Sequence, residues 1–425
     1  MALSEYNIVW SMEGVYCISP YVLIRREEFG GMAFHRKRGL TIELDGEAFR
    51  LLNLFQKPRS SSELVRSPEE ERLVRDFLCL GLIRPSSLPP VPLEEETPKY
   101  LPSEYGGWLS APEVVHIGLT SRCDLSCPYC YREEVDQELS FEELSELMRQ
   151  LSEAKVFQVA LGGGEPFLRE DIFELLELCR DLNITANITT NGTFVTHEVI
   201  RRLKDVHIGQ INVSVHELNG PTKALKMLVR SGLRVGVNIL VTSDILPSLD
   251  DIFTTLKNVG IGRVTVLRPK PGADKVWFHR NRLMRGHLFK LKEVLGRWEG
   301  KLDISVDTSL ACLMGELGPR DMQEHGIYGC TAGRRFCAIE PSGKVYPCSF
   351  LKGPSFLAGD IRRSPFLEIW RGSDVFRTMR KLPQFLKGRC GSCDVKDFCL
   401  GARCIVWSET GDIYGEDREC PKEER

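Results

Sequence analysis

The stretch VVHIGLTSRCDLSCPYCY, residues 114–131, decides how the rest of the chain is read. Its opening, VVHIGLT (114–120), has the pattern of a buried strand. Three thiols follow at once: Cys123, Cys127 and Cys130. Three thiolates within eight residues can hold three irons of a [4Fe–4S] cluster, for which four cysteines are the full set. The fourth iron is left open for a substrate group to chelate. A zinc site lacking one ligand and incidental buried cysteines are the competing readings. The C-x3-C-x2-C spacing favours the cluster, because it sits on a loop directly after a strand, with aromatic Tyr129 before the last sulfur.

Outward from that stretch, strands and helices alternate. SFEELSELMRQLSEAK (140–155) opens with a capping box, Ser140 and Glu143, and continues amphipathically. FQVALGG precedes a helix at 170–182, and ITANITT one at 197–204. GQINVSVH precedes 221–231, RVGVNILVT precedes 249–259, and RVTVLRP is followed by a helix at 283–296. Six strand–helix units imply a parallel sheet with right-handed crossovers. The expected fold class is α/β, a partial (β/α)6 TIM-like barrel with its chemistry on the loops after the strand C-termini. Beyond 310 the regular patterning fades, and a cysteine-rich segment is expected to be held by ligated metal rather than by a large core.

Composition narrows the class. At 425 residues the chain should hold two to four domains of ~100–200 residues. With 56 basic and 59 acidic residues, nothing suggests a nucleic-acid or membrane-surface partner, which needs a basic stripe. No segment reaches the ~18 apolar residues that a membrane span requires. The N-terminal residues carry no basic region followed by a long apolar run, so no signal peptide is expected. Six of the 15 cysteines lie in the first 311 residues, and nine lie between Cys312 and Cys420. Without a secretory signal, metal or cluster ligation outweighs a disulfide framework. A cytoplasmic protein working under low oxygen is expected.

Prolines 85, 89, 90, 92, 98 and 102, with Glu94–Glu96 among them, read as an extended linker. Before it, 15–27 and 32–44 look like a hairpin turning at Gly30-Gly31, followed by helices at 46–56, 62–65 and 68–80 and a short strand in LGLIR. That arrangement is winged-helix-like and α+β. A DNA-binding role is disfavoured, because residues 1–90 hold 12 basic and 12 acidic side chains. The expected domains are 1–88, a linker at 89–112, the barrel at 113–310 and the cysteine-rich segment at 311–425.

The CxxxCxxC motif with Tyr129, over about 113–300, resembles the radical SAM superfamily. The resemblance implies that the amino and carboxylate groups of S-adenosylmethionine chelate the open iron. Reduction then yields a 5′-deoxyadenosyl radical that abstracts hydrogen from a substrate. It implies an electron donor such as flavodoxin or ferredoxin, and it places Tyr129 near the adenine. LGGGEP (161–166) resembles the family's GGE motif, which implies that Gly163, Gly164 and Glu165, with Gly162 adjacent, bind the methionine moiety. Asn191, Ser214 and Asn238 match positions where the family often places a polar residue beside the cofactor; capping of a strand end is the alternative for each. His216 stands where many relatives carry Asp.

Cys330-x12-Gly343-x4-Cys348, then Cys390-x2-Cys393-x5-Cys399-x4-Cys404 and Cys420, resembles the SPASM extension of peptide-modifying radical SAM enzymes, although the family usually has x3 in the last pair. The resemblance implies one or two auxiliary [4Fe–4S] clusters. Cys330, Cys337, Cys348 and Cys404 would hold one, and Cys390, Cys393, Cys399 and Cys420 the other. A pair of structural zinc sites is the alternative. Cys17, Cys79, Cys179 and Cys312 show no partner spacing and read as ordinary buried thiols. The N-terminal module resembles the PqqD-like peptide-recognition element, in which a precursor's leader adds a strand beside the hairpin; a structural wing packed on the barrel is the alternative. The whole reads as a radical SAM/SPASM maturase of a ribosomally made peptide or protein side chain, with no catalytic residue assigned beyond the cofactor sites. Ser349, after Cys348, weakens an assignment to sulfatase maturation, where that position is acidic. Maturation of a non-peptide cofactor, such as a modified haem or metal-pterin, and a non-catalytic zinc protein are the rivals.

Overall fold

The computed structural model describes residue 11 and residues 13–90, 108–215, 222–272 and 274–422. The chain divides into two compact units, Met1–Gly106 and Gly107–Arg425. Most of the expected linker, and His216, lie outside the described residues. Among the described residues, no helix is long and apolar enough to cross a membrane.

The first unit contains β1 (Val15–Ile18), β2 (Val22–Glu27), β3 (Gly30–His35), β4 (Leu40–Asp45), β5 (Arg59–Ser60) and β6 (Ile83–Pro85). β1 pairs antiparallel with both β5 and β6, so Pro85 closes a strand instead of opening the linker. The expected single hairpin is a separate three-stranded antiparallel meander, β2-β3-β4. Its first turn falls at Glu28-Phe29, and Gly30-Gly31 already pair with β2. The polar run Arg36-Lys37-Arg38-Gly39 makes a second turn inside a stretch whose β-rich flanks masked it. Asp45 caps the helix Gly46–Leu54 by accepting from the Ala48 N–H at 2.8 Å. That helix buries Phe49, Leu51 and Leu52 in one cluster with Val74, Phe77 and Leu78 of the helix Pro68–Cys79.

The second unit is built on one ten-stranded sheet. Its strands are β7 (Val114–Thr120), β8 (Gln158–Gly163), β9 (Thr185–Thr190), β10 (Gln210–Val215), β11 (Val235–Leu240), β12 (Arg263–Leu267), β13 (Asp303–Val306), β14 (Phe336–Ile339), β15 (Lys344–Tyr346) and β16 (Gly359–Asp360). The order is β13-β12-β11-β10-β9-β8-β7-β14-β15-β16, and β7 through β13 are parallel. This is the TIM-like α/β architecture, with two parallel strands more than expected, β13 at one end and β14 beside β7. β13 escaped notice because its four residues, DISV, alternate exposed and half-buried and carry little apolar signal.

Strands β7 to β12 put β-branched and leucine side chains under the helices. Val115, Ile117, Val159, Leu161, Ile188 and Val213 belong to that core. The opposite face is polar: Asn187 donates to Gln158 at 3.0 Å, Gln210 to Asn212 at 2.6 Å, and Arg263 to Gln210 at 3.0 Å. A polar inner face and an apolar outer one distinguish an open barrel that receives a ligand from one filled by its own side chains.

The segment after 310 has more core than its sequence suggested. β14 pairs parallel to β7, in register Phe336–Val114 to Ile339–Ile117, and so extends the barrel sheet. Phe366, Ile369, Trp370 and Phe376 join the same apolar core as the barrel strands. Helices of only seven residues, Phe366–Gly372 and Asp374–Arg380, are too short to announce themselves by periodicity.

Candidate functional site

The loop after β7 carries the first cysteine group, and its base is closed by charged side chains. Glu138 accepts from the Thr120 hydroxyl at 2.8 Å and from the Ser121 N–H at 2.6 Å. Arg169 donates to the carbonyls of Leu119 and Leu139, both at 2.9 Å, and pairs with Asp171 at 2.6 Å. Within the loop, the Cys130 N–H donates to the Cys127 carbonyl at 3.1 Å. Cys123, Cys127 and Cys130 are all half-buried, and burial pushes the Cys123 thiol up. Tyr129 packs on Trp277, 5.4 Å between ring centroids, from the helix Lys275–Asn281, which the sequence pattern did not reveal.

The end of β8 lies beside this loop at backbone contact. Gly164 donates to the Thr120 carbonyl at 2.7 Å, and Glu165 to the Arg122 carbonyl at 2.9 Å. A β-carbon on Gly164 would stand 1.9 Å from the Arg122 oxygen, and Gly163 has φ +102°. Both positions therefore require glycine. Gly162 pairs with Gly118 across β7. Glu165 is 1% exposed and accepts from the Thr190 hydroxyl at 2.8 Å and the Asn191 N–H at 2.9 Å. Desolvation outweighs these donors and raises its pKa. The Asn191 side chain donates to Asp124 on the cysteine loop at 2.7 Å. Ser214 and Asn238 are partners in register on the inner face, both half-buried. The structure thus gathers Cys123, Asn191, Gly162–Gly164 and Glu165 at the ends of β7, β8 and β9, with Ser214 and Asn238 on the strands beside them.

Behind the loop lies a polar contact that sequence reasoning missed. Half-buried His116 meets the Tyr131 hydroxyl at 3.3 Å through Nε2, and Ser349 at 3.1 Å through Nδ1. Burial holds its pKa at about 4. This line of side chains joins the residue after Cys130 to the residue after Cys348.

The C-terminal cysteines form two groups. Cys330, Cys348 and Cys404 interact electrostatically with one another, and Lys270 acts on Cys348 and Cys404. Lys270 follows β12 and pairs with Asp307 at 2.6 Å. Cys337, expected as the fourth member, is not with them. It lies on β14 opposite Val115, buried in the barrel core with Arg380 as its charged neighbour. Strand alternation, which spacing alone did not reveal, turns it away.

Cys390, Cys393, Cys399 and Cys420 line a cavity of about 380 Å³, and Cys312 lines it too. Cys312, expected as an ordinary buried thiol, reaches the Ser309 carbonyl through Sγ at 4.0 Å, and its interaction with Cys420 raises its own pKa and lowers that of Cys420. Arg403, fully buried, stands between the groups: it donates to Cys390 Sγ at 3.7 Å and to the Ile413 and Gly415 carbonyls at 2.9 and 2.6 Å, and it acts on Cys330. Its charge offsets thiolates that would otherwise face one another in an apolar interior. Burial pushes the Cys348 thiol up to about 11 and Cys399 up to about 12, so ligation there must release protons. Among the described residues, no three His, Cys, Asp or Glu side chains converge as around a single ion; the sulfurs border spaces instead.

The Radical SAM superfamily profile matches residues 117–230, and an iron-sulfur cluster-binding domain, SPASM, matches 330–394. The mycofactocin maturase MftC of Mycobacterium tuberculosis is 30% identical over 333 residues, 73% of this chain and 83% of that protein. The chain belongs to the radical SAM superfamily. An AdoMet-dependent heme synthase of Methanosarcina barkeri is 27% identical over 354 residues, covering 73% of this chain and 97% of the relative. The crystal structure of Streptococcus suis SuiB bound to S-adenosylmethionine shares the fold at TM-score 0.71 and 19% identity, covering 95% of this chain and 99% of SuiB.

As a radical SAM enzyme with a SPASM domain, the protein uses S-adenosylmethionine and [4Fe–4S] clusters. The residues present fit them. The glycine cradle admits no side chain, the buried Glu165 carboxylate suits an ammonium group, and thiols surround a cavity in the C-terminal segment.

Proposed function

We propose that this radical SAM enzyme modifies a ribosomally made precursor peptide or a protein side chain. Cys123, Cys127 and Cys130 would ligate the cluster that binds S-adenosylmethionine. When bound and reduced by a donor such as flavodoxin or ferredoxin, that cluster supplies a hydrogen-abstracting 5′-deoxyadenosyl radical. Glu165, Gly163 and Gly164 hold the methionine end, Asn191 ties the cofactor strand to the cluster loop, and Tyr129 flanks the adenine. Cys330, Cys348 and Cys404 serve one auxiliary cluster, and Cys390, Cys393, Cys399 and Cys420 the other.

The observation that carries the peptide reading is the first unit. The fold likeness to SuiB covers 95% of the chain and so takes in most of that unit, and SuiB has also been solved with its precursor peptide SuiA. The β2-β3-β4 meander has two edge strands, and an extended leader can add to a sheet edge by main-chain hydrogen bonds. The 1–88 module is accordingly read as PqqD-like. Deleting residues 1–88 should weaken precursor binding while leaving uncoupled cofactor cleavage; unchanged binding in a pull-down or anisotropy titration rejects the recognition role.

The heme synthase relative, matched over 97% of its own length, supports a second reading in which the substrate is a tetrapyrrole. Titrating a porphyrin and a candidate leader peptide against the same protein separates the two, since only one should compete with turnover.

A further inference from the structure

We propose that Cys312 is a fifth thiol of the second auxiliary-cluster site and takes the iron corner of Cys420 when that sulfur is removed. The inference rests on the cluster reading above and concerns a residue that reading does not use.

Four thiolates complete a [4Fe–4S] cluster, and five cysteines line this cavity. Cys393 is half-buried, as are Cys390, Cys399 and Cys420, and its thiol donates to the Asp394 carboxylate at 3.6 Å. Cys312 is buried, and it borders the same cavity as Cys420. An ordinary buried cysteine fills apolar space, as Cys179 does against the Met148 sulfur at 3.7 Å. Cys312 instead lines a space shared with four sulfurs assigned as ligands.

Its position is fixed from both sides. Cys312 lies in the 3-10 turn Thr308–Met314, which Asp307 caps by accepting from the Ser309 N–H at 2.7 Å. The buried Arg268 donates to the Ser309 carbonyl and to Asp417, each at 3.2 Å. One guanidinium thereby staples the turn bearing Cys312 to the segment bearing Cys420. Cys420 is held by its own N–H to the Asp417 carbonyl at 3.1 Å. Gly315, just past the turn, lies against the Lys422 side chain, so the two segments run in contact.

The substitution needs no redox partner. The Cys312 S–H loses its proton to water, and its thiolate forms the Fe–S bond that Cys420 would otherwise make. No electron moves, and the ligand count stays at four.

The test counts irons in a Cys123→Ala, Cys127→Ala, Cys130→Ala background, purified anaerobically, where two four-iron clusters give about eight irons per chain. Cys312→Ala and Cys420→Ala, each alone, should keep about eight irons and a second cluster closed by four thiolates, whereas the double variant, left with Cys390, Cys393 and Cys399, should hold a second cluster with one open iron. Added cyanide, which binds an open iron, should then change the Mössbauer spectrum of that cluster in the double variant and in neither single variant. The unchanged signal of the first auxiliary cluster reports that the variants are folded. An open iron in the second cluster of Cys420→Ala alone, or none in the double variant, overturns the proposal. A background protein that carries zinc in place of iron defeats the cluster reading itself, which is a different outcome.

Discussion

The two cysteine regions solve opposite problems with the same ligand. The loop after β7 holds half-buried thiols on irregular chain, fastened at its base by Glu138 and Arg169. A cluster there must meet an incoming cofactor, so its surroundings are glycines, a carboxylate and an aromatic ring. The C-terminal sulfurs are also half-buried, with only Cys404 buried among the assigned ligands, and they sit among apolar side chains with buried Arg403 and half-buried Lys270 as counter-charges. A glycine cradle beside the sulfurs suits a corner that receives a cofactor, and apolar packing with matched charge suits auxiliary clusters.

The largest effect that sharpens this contrast is on the loop after β7. Cys127→Ala should reduce cofactor cleavage to background while about eight auxiliary irons remain; measurable turnover would remove the distinction between the regions. Next, Cys348→Ala should lose about four irons. Cys337→Ala should lose none and cost only about 1 kcal/mol of stability, as a small core cavity. Iron analysis and thermal melts on the pair check both, and equal iron loss would return Cys337 to the ligand set.

Glu165→Gln should weaken S-adenosylmethionine binding by about tenfold or more, the worth of a charge-assisted hydrogen bond. Its effect on the apo protein should run the other way. A folded-state carboxyl pKa raised by burial penalises the charged form, so wild-type stability gains as pH falls toward the unfolded-state carboxyl pKa. The glutamine variant should therefore be relatively more stable at neutral pH, and that advantage should close in acid. Calorimetry at several pH values with isothermal titration of the cofactor reads both effects.

The smallest effect concerns the polar line between the regions. His116 titrates near 4 when folded and near 6.5 when unfolded, so the folded state binds fewer protons in that window. Stability should fall as pH drops from about 6.5 to 4, by at most roughly 3 kcal/mol. A His116→Asn variant should lose that slope in pH-dependent unfolding; an unchanged slope places its source elsewhere.

Much of the molecule was legible before its structure. The strand–helix alternation from Val114 onward predicted the parallel sheet, and the Ser140–Glu143 capping box forms as read, with Glu143 donating to Ser140 Oγ at 3.2 Å and Ser140 to Glu143 at 2.8 Å. The strand-end positions of Gly163, Gly164 and Glu165 also follow from periodicity. What escaped was short or non-local: β13, the second turn of the meander, and the helices around Trp370, each too brief to show a period.

Sequence by itself determined the element order and the presence of thiols at metal-binding spacing, because both are written in neighbouring residues. Only the tertiary structure decided which sulfurs share a space. It turned Cys337 into the core and brought Cys312 and Cys420, 108 positions apart by their numbers, to the wall of one cavity. Strand alternation sets which face a side chain takes, and sheet order sets what it meets there; neither is encoded in the spacing between cysteines.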